Sequence, residues 1–223
     1  MRAALYLAAG SVIVDDVPDP QIVEPTDALV RVVRSCVCGS DLWAYRGTFD
    51  RPERSRLGHE FVGLVEEVGA DVRDLRVGQL VIAPFSYGDG ACPACAEGLY
   101  TSCAQSGTFG APGHDGGQGE ALRVPFADAN LVVVPDGSAD LPDSTLLSML
   151  ALSDVMATGL HGAQQAGVCA GSTVAVVGDG AVGLCAVLAA RSVLGAERVI
   201  LLSSHTARQV VGRSFGAATS VSQ

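Results

Sequence analysis

Four residues with metal-ligand chemistry lie close together in one Gly-rich segment. They follow the spacing D-x2-C-x2-C-x7-C and are Asp89, Cys92, Cys95 and Cys103. Thiolates this close in sequence can converge on one ion, and three thiolates with one carboxylate supply the four ligands of a closed zinc site. Reduced thiols without a metal and a redox-active C-x-x-C pair are the alternatives. Because a third cysteine is present, the segment predicts a structural zinc site.

A second motif, Gly178-x-Gly180-x-x-Gly183, follows a predicted strand and opens a predicted helix. In that context the pattern is typical of a dinucleotide-binding turn. The first glycine permits the tight turn, the second lets a pyrophosphate approach the backbone, and the third lets the helix pack close to the strand. The free amides at the helix start, at Ala181 and Val182, would face the phosphates. A plain strand-to-helix turn is the alternative.

The choice of dinucleotide depends on the end of the next strand, about 20 positions further on. That position falls on Ser203-Ser204-His205, which contains no carboxylate. Neutral residues there would remove the repulsion that an Asp exerts on a 2′-phosphate, and Arg208 is near enough in sequence to pair with one. The sequence therefore favours NADP over NAD, with a solvated Arg208 as the alternative.

Further candidate ligands are far apart in the sequence. Cys38 lies in Cys36-Val37-Cys38-Gly39-Ser40-Asp41, His59 and Glu60 lie in Gly58-His59-Glu60, and Asp154 lies in Leu152-Ser153-Asp154-Val155. Taken singly, the thiol can be a small core residue, the imidazole a hydrogen-bonded core group, and Asp154 a helix N-cap. Their spacing alone does not establish a site.

The elements that must position these residues change in character near residue 150. Before it, short β-type runs alternate with Gly, Pro and Asp, which predicts a small β-barrel or folded sheet. The strand candidates are residues 28–34, 61–68, 79–83 and 131–134.

Beyond residue 150 the apolar runs lengthen and alternate in type. Residues 146–165 predict one or two helices, and residues 173–177 and 199–202 predict buried strands. Helices are expected at 181–194 and 206–215, and a third strand begins near Ser220-Val221. This βαβα order predicts a parallel sheet with right-handed crossovers.

Composition excludes several classes of protein. The 223 residues include 24 acidic and 14 basic side chains, a net charge of −10, which argues against nucleic-acid binding. No apolar run is long enough to span a bilayer, and the first residues predict strand, turn and strand rather than a signal peptide. Seven cysteines without an export signal favour metal over disulfides. We therefore expect a cytoplasmic protein that binds neither membrane nor nucleic acid.

The order of the motifs resembles that of the zinc-dependent medium-chain dehydrogenase/reductase family, the alcohol dehydrogenases. The resemblance rests on Cys38-Gly39-Ser40-Asp41, Gly58-His59-Glu60-Phe61-Val62-Gly63, the cysteine segment and the Gly178 turn. It implies a mixed β and α/β fold: a GroES-like zinc-binding catalytic domain over residues 1–150, then a Rossmann domain over residues 151–223. That second domain would be incomplete, because a full doubly wound sheet has six parallel strands.

The resemblance also implies roles for the dispersed residues. The catalytic zinc would be held by Cys38, His59 and Asp154, the last in place of the Cys of better-known members. Glu60 would be a neighbouring or exchangeable ligand, and Asp41 would orient the imidazole through its other ring nitrogen.

The implied reaction is hydride transfer between a small alcohol, or its aldehyde or ketone, and NAD or NADP. Ser40 would take the substrate hydroxyl proton. Trp43 stands where many relatives carry a relay His, and with Tyr45 it would shape an apolar pocket or simply pack.

Two other functions stay open at this point, a truncated zinc-binding remnant without turnover and a zinc-free quinone reductase of similar fold. The cysteine segment and Gly58-His59-Glu60 argue against the reductase. Assembly into a homo-oligomer is a further open alternative.

Overall fold

The computed structural model describes residues 1–221, and its internal contacts divide the chain into two units. The first unit is Met1–Ser153 and the second begins at Asp154. The expected boundary after residue 150 therefore lies three residues before the observed one.

An antiparallel five-stranded sheet forms the centre of the first unit, in the order β8-β3-β4-β5-β9. Its core is apolar and includes an edge-to-face pair, Phe61 against Phe109, with ring centroids 5.2 Å apart. The four predicted strands are confirmed as β3, β4, β5 and β9. The strands of this unit are β1 Arg2–Ala8, β2 Ser11–Asp16, β3 Ala28–Ser35, β4 Phe61–Val68, β5 Leu80–Ile82, β6 Ser86–Tyr87, β7 Gly107–Thr108, β8 Ala121–Val124 and β9 Val132–Val133.

Short pairs and helices complete this unit. β1 and β2 form an antiparallel hairpin, which confirms the predicted strand, turn and strand, and β6 pairs with β7. The helices are α1 Asp41–Tyr45, α2 Pro93–Ala96, α3 Ala127–Asn130 and α4 Asp143–Leu150, with a 3-10 turn at Tyr100–Ser102.

The second unit contains a parallel sheet in the order β10-β11-β12. Its buried side chains alternate along the central strand, where Val199 and Leu201 are fully buried. The predicted βαβα order and the third strand are confirmed. The elements are α5 Val155–Gln165, β10 Thr173–Val177, α6 Ala181–Leu188, β11 Arg198–Leu202, α7 Thr206–Ser214 and β12 Thr219–Val221.

The apolar run after the glycine turn is helical over nearly its predicted length, but its last turn is wider. Ala189–Val193 is a π-helix, and the chain then turns at Gly195, whose φ is +74°. Within residues 1–221, no single helix is both long and apolar enough to cross a membrane.

Candidate metal and dinucleotide sites

The structure gathers four of the dispersed residues into one group. Cys38, His59, Glu60 and Asp154 each offer a ligand atom, and these atoms lie within 4.8 Å of one another. A tetrahedral ion bound at 2.0–2.3 Å requires ligand atoms about 3.3–3.8 Å apart. The group therefore needs only small side-chain shifts to hold one zinc ion.

The start of β4 positions the imidazole and one carboxylate of this group. His59 and Glu60 immediately precede the strand, and Gly58 before them has a φ of +90°. A Cβ at Gly58 would lie 2.5 Å from Cγ of Gln118. Only glycine therefore permits both this backbone conformation and the close approach of Gln118.

Asp41 connects the separate parts of the group. Its Oδ2 accepts the Cys38 amide at 3.0 Å and the Gln118 side-chain amide at 3.1 Å. Its Oδ1 lies 3.7 Å from Nδ1 of His59, while Nε2 of the same ring lies 3.8 Å from Oε1 of Glu60. This arrangement turns Nε2 toward the ligand group and Nδ1 toward Asp41, as a metal-binding imidazole requires.

Glu60 is a carboxylate almost without solvent contact. It is 2% exposed, and its Oε2 accepts a hydrogen bond from the Cys36 thiol at 3.3 Å. Burial, followed by this carboxylate, raises the pKa of Cys36 to about 12, and burial also raises the pKa of Cys38. Because buried carboxylates in proteins are paired with cations or coordinate metals, the donor set fits a divalent ion.

Asp154 directly follows Ser153, the last residue of the first unit. The carbonyl of Ser153 accepts the Phe85 amide at 3.1 Å, which anchors the preceding residue. Asp154 is the N-cap of α5, yet its side chain makes no capping bond. Its Oδ1 accepts the Thr158 hydroxyl at 2.7 Å instead.

Ser40 is exposed at the start of α1, and its hydroxyl lies against the Cys38 thiol. Trp43 is 56% exposed and meets Phe49 edge-to-face, with ring centroids 6.5 Å apart. The expected proton-transfer group is therefore beside one expected zinc ligand and in contact with solvent.

The cysteine segment forms a second group of candidate metal ligands whose ligand atoms lie close together. The ligand atoms of Asp89, Cys92, Cys95 and Cys103 also lie within 4.8 Å of one another. A Cβ at Gly88 would come within 3.3 Å of the Cys95 sulfur and of the Cys103 Cβ, so the loop closes on itself where glycine leaves room. This second group likewise fits a closed four-ligand zinc site.

Backbone amides hold the carboxylate of the second group. Oδ1 of Asp89 accepts the Ala91 amide at 2.8 Å and the Cys92 amide at 2.9 Å, and these bonds hold its pKa well below the usual range. The Cys103 sulfur accepts the amides of Asp89 and Gln105, each at 3.3 Å. Amide donors to sulfur and carboxylate stabilise the anionic forms that bind metal.

The glycine turn between β10 and α6 has the geometry that a dinucleotide needs. Gly178 has a φ of +105°, and a Cβ at Gly183 would lie 2.1 Å from the Gly178 carbonyl oxygen. Nothing lies within 4 Å of the Cβ position of Gly180. The first amides of α6, at Ala181 and Val182, have no intrahelical acceptors and mark an anion-binding end.

At this turn the structure adds a carboxylate that sequence reasoning did not consider. Sequence reasoning found no carboxylate at the end of β11 and assigned Arg208 to a 2′-phosphate. In the structure the Asp179 carboxylate lies there, accepting the Ser203 hydroxyl at 2.7 Å and Arg208 Nη1 at 3.3 Å. Asp179 follows β10 and Ser203 follows β11, and the two residues are adjacent because these strands are neighbours in the sheet. The residues after β11 alone therefore do not reveal this carboxylate.

Comparison with known proteins identifies the class. The profile of the alcohol dehydrogenase GroES-like domain matches residues 24–136. The chain is 38% identical over 215 residues to the glutathione-independent formaldehyde dehydrogenase of Pseudomonas aeruginosa, a match that covers 90% of this chain and 53% of that protein. The chain therefore belongs to the zinc-dependent medium-chain dehydrogenase/reductase family, the alcohol dehydrogenases, as the motif resemblance indicated.

Solved structures agree with this assignment. The alcohol dehydrogenase of Thermus sp. ATN1 is 37% identical with a TM-score of 0.89, covering 100% of this chain and 63% of that one. A zinc-binding dehydrogenase of Sinorhizobium meliloti 1021 bound to NADP is 31% identical with a TM-score of 0.83, covering 99% and 61%. The chain spans about half to two thirds of these relatives. The predicted fold class, a GroES-like domain followed by part of a Rossmann domain, is confirmed.

Four residues near these groups were not found by sequence reasoning. They are Cys36, Gln118, Thr158 and Asp179, each within hydrogen-bond distance of a candidate ligand or of its holder. Thr158 stands four residues after Asp154 on one helix, a spacing that could have revealed it. The other three act across larger sequence separations.

Proposed function

We propose that this chain is a zinc-dependent oxidoreductase that transfers hydride between a small alcohol, or its aldehyde or ketone, and a nicotinamide dinucleotide. The observation that carries the proposal is the convergence of Cys38, His59, Glu60 and Asp154 within 4.8 Å, in a chain that also carries the glycine turn. We further propose two zinc ions per chain, one in this catalytic group and one in the cysteine segment.

Zinc, when bound, supplies a Lewis acid that lowers the pKa of an alcohol at an open coordination position. The nicotinamide, when bound, supplies the hydride acceptor. Asp41 accepts the Cys38 backbone amide and lies 3.7 Å from Nδ1 of His59, from where it would orient the imidazole when zinc binds. Ser40, exposed beside Cys38, accepts the proton that leaves the substrate hydroxyl and passes it to water.

We also place the protein in the cytoplasm. The cysteine segment needs reduced thiols to bind metal, and the structure forms no disulfide among the cysteines of its described residues. The expected substrate is a small molecule. This expectation is supported by the names of relatives, which refer to formaldehyde or to an alcohol.

Two measurements on the zinc-loaded full chain test the proposal. Fluorescence titration of reduced nicotinamide dinucleotide should show saturable binding, and a primary alcohol with oxidised dinucleotide should give the reduced form. Cys38→Ser should abolish turnover while dinucleotide binding persists. A chain that binds zinc but no dinucleotide would instead be a metal-binding remnant, and the proposed reaction would be rejected.

A further inference from the structure

Two neighbouring strands bring the glycine turn and the end of β11 to the same edge of the sheet. β10 and β11 pair in parallel, with Val177 opposite Leu202, and the Gly178 amide donates to the Leu202 carbonyl at 3.1 Å. The residues that follow, Asp179 and Ser203, are therefore side by side. In doubly wound folds this edge holds the adenosine ribose of a dinucleotide.

The Asp179 carboxylate is held at this edge by four donors. Oδ2 accepts the Ser203 hydroxyl at 2.7 Å and the His205 amide at 3.1 Å, and it lies 2.8 Å from His205 Nδ1. Oδ1 accepts Arg208 Nη1 at 3.3 Å, its one partner among the described residues. Asp179 is only 7% exposed, so the carboxylate is fixed in place.

These contacts determine the charge of the Asp179 side chain. The Ser203 hydroxyl, His205 and Arg208 hold the pKa of Asp179 well below its usual range, so the group is an anion at neutral pH. Arg208, the one cation among its contacts that is charged at all pH values, is already paired with it. A 2′-phosphate would bring further negative charge toward a fixed carboxylate whose cation is engaged, whereas a 2′-hydroxyl can donate to Oδ1.

We propose that Asp179 selects the dinucleotide with a free 2′-hydroxyl, NAD, by accepting the ribose hydroxyl and by occupying Arg208. The carboxylate that this fold commonly carries at the end of its second strand is thus supplied by the glycine turn. The inference rests on the proposed function. The Sinorhizobium meliloti relative accommodates NADP, so the choice depends on each chain's own residues.

The test uses the adenosine half of each cofactor, because β10, α6 and β11 supply that half of the site. Isothermal titration of the zinc-loaded full chain with ADP-ribose and with 2′-phospho-ADP-ribose gives two dissociation constants. We expect ADP-ribose to bind at least about tenfold more tightly, the ratio for one charge-assisted hydrogen bond.

Two substitutions separate the two parts of the proposal. Asp179→Asn keeps the shape but removes the charge. It should weaken ADP-ribose binding about tenfold and strengthen binding of the phosphorylated probe, because Arg208 is released. Adding Arg208→Gln to that variant should remove the gain. Arg198→Gln, an exposed Arg at the opposite end of β11, is the charge-matched control and should change neither constant.

Each outcome decides the question. Equal or tighter binding of the phosphorylated probe by the unmodified chain overturns the inference and leaves the proposed function standing. Absence of binding for both probes overturns the inference and the nicotinamide part of the proposed function together. An Asp179→Asn variant that keeps the unmodified preference while circular dichroism shows native structure also overturns it.

Discussion

The side-chain amide of Gln118 donates to Oδ2 of Asp41 at 3.1 Å and to the Cys36 carbonyl at 3.0 Å. It therefore ties the segment that carries Cys38 to a residue far along the chain. Because the same Asp41 oxygen accepts the Cys38 amide, Gln118 helps to hold a candidate zinc ligand.

We expect Gln118→Met to weaken zinc binding at the Cys38 group by about 10–100-fold, the usual cost of removing a group that orients a ligand. Methionine keeps the length of the side chain and loses only the amide. Competition with a chromophoric chelator measures the affinity. Gln165→Met, at an exposed end of α5, is the matched control; an equal loss in both variants would contradict the role given to Gln118.

The two ligand groups should respond differently to loss of one thiol. Cys38→Ser and Cys95→Ser should each lower the zinc content from two ions to one per chain. Cys95→Ser should also lower Tm by several degrees, because a structural zinc site contributes directly to folding free energy. Metal analysis and thermal unfolding measure both effects. Unchanged zinc content in both variants would refute the assignment of the two groups.

Two glycines of the same turn should separate stability from binding. Gly183→Ala places a Cβ against the Gly178 carbonyl and should cost at least about 1–3 kcal/mol of unfolding free energy. Gly180 has room for a Cβ and a φ of −71°, so Gly180→Ala should keep stability but block the approach of a pyrophosphate. Denaturant unfolding and dinucleotide titration distinguish the two. Normal dinucleotide binding by Gly180→Ala would count against the turn as a phosphate site.

Stability should depend on pH through Asp179. Its pKa is lower in the folded chain, mainly because of the Ser203 hydroxyl, so the unfolded chain takes up the proton first as pH falls. The stabilisation is therefore complete above the ordinary pKa of about 3.8 and is lost below it. Asp179→Asn should lack this part of the acid dependence. The difference in unfolding free energy between the unmodified chain and Asp179→Asn should shrink below about pH 4. A difference that stays constant with pH would contradict a lowered pKa of Asp179 in the folded chain.

Features set by local sequence could be predicted, and features set by tertiary contacts could not. The β4 strand follows from a run of residues that is apolar up to Val65, and the glycine turn from three positions within six residues. The two metal groups were predicted on different grounds. Local spacing indicated the cysteine segment, whereas only the family resemblance grouped Cys38, His59 and Asp154.

The neighbours of these groups depend on pairings that no window of sequence contains. Gln118 is 77 residues from Asp41, and Ser203 is 24 residues from Asp179. The latter pairing follows from two parallel strands in register, which places the ends of both strands together. A search for a ribose-binding carboxylate must therefore include the glycine turn as well as the end of the second strand.

All four candidate ligands of the cysteine segment lie between residues 89 and 103, and the Asn130 amide joins the loop to the rest of its unit through Gly88. A metal bound there would close a ring of chain that is short enough to lose little conformational entropy on ordering. Most of the sequence information that determines the fold of such a loop lies within the loop. It could be transplanted onto an unrelated scaffold and still capture an ion.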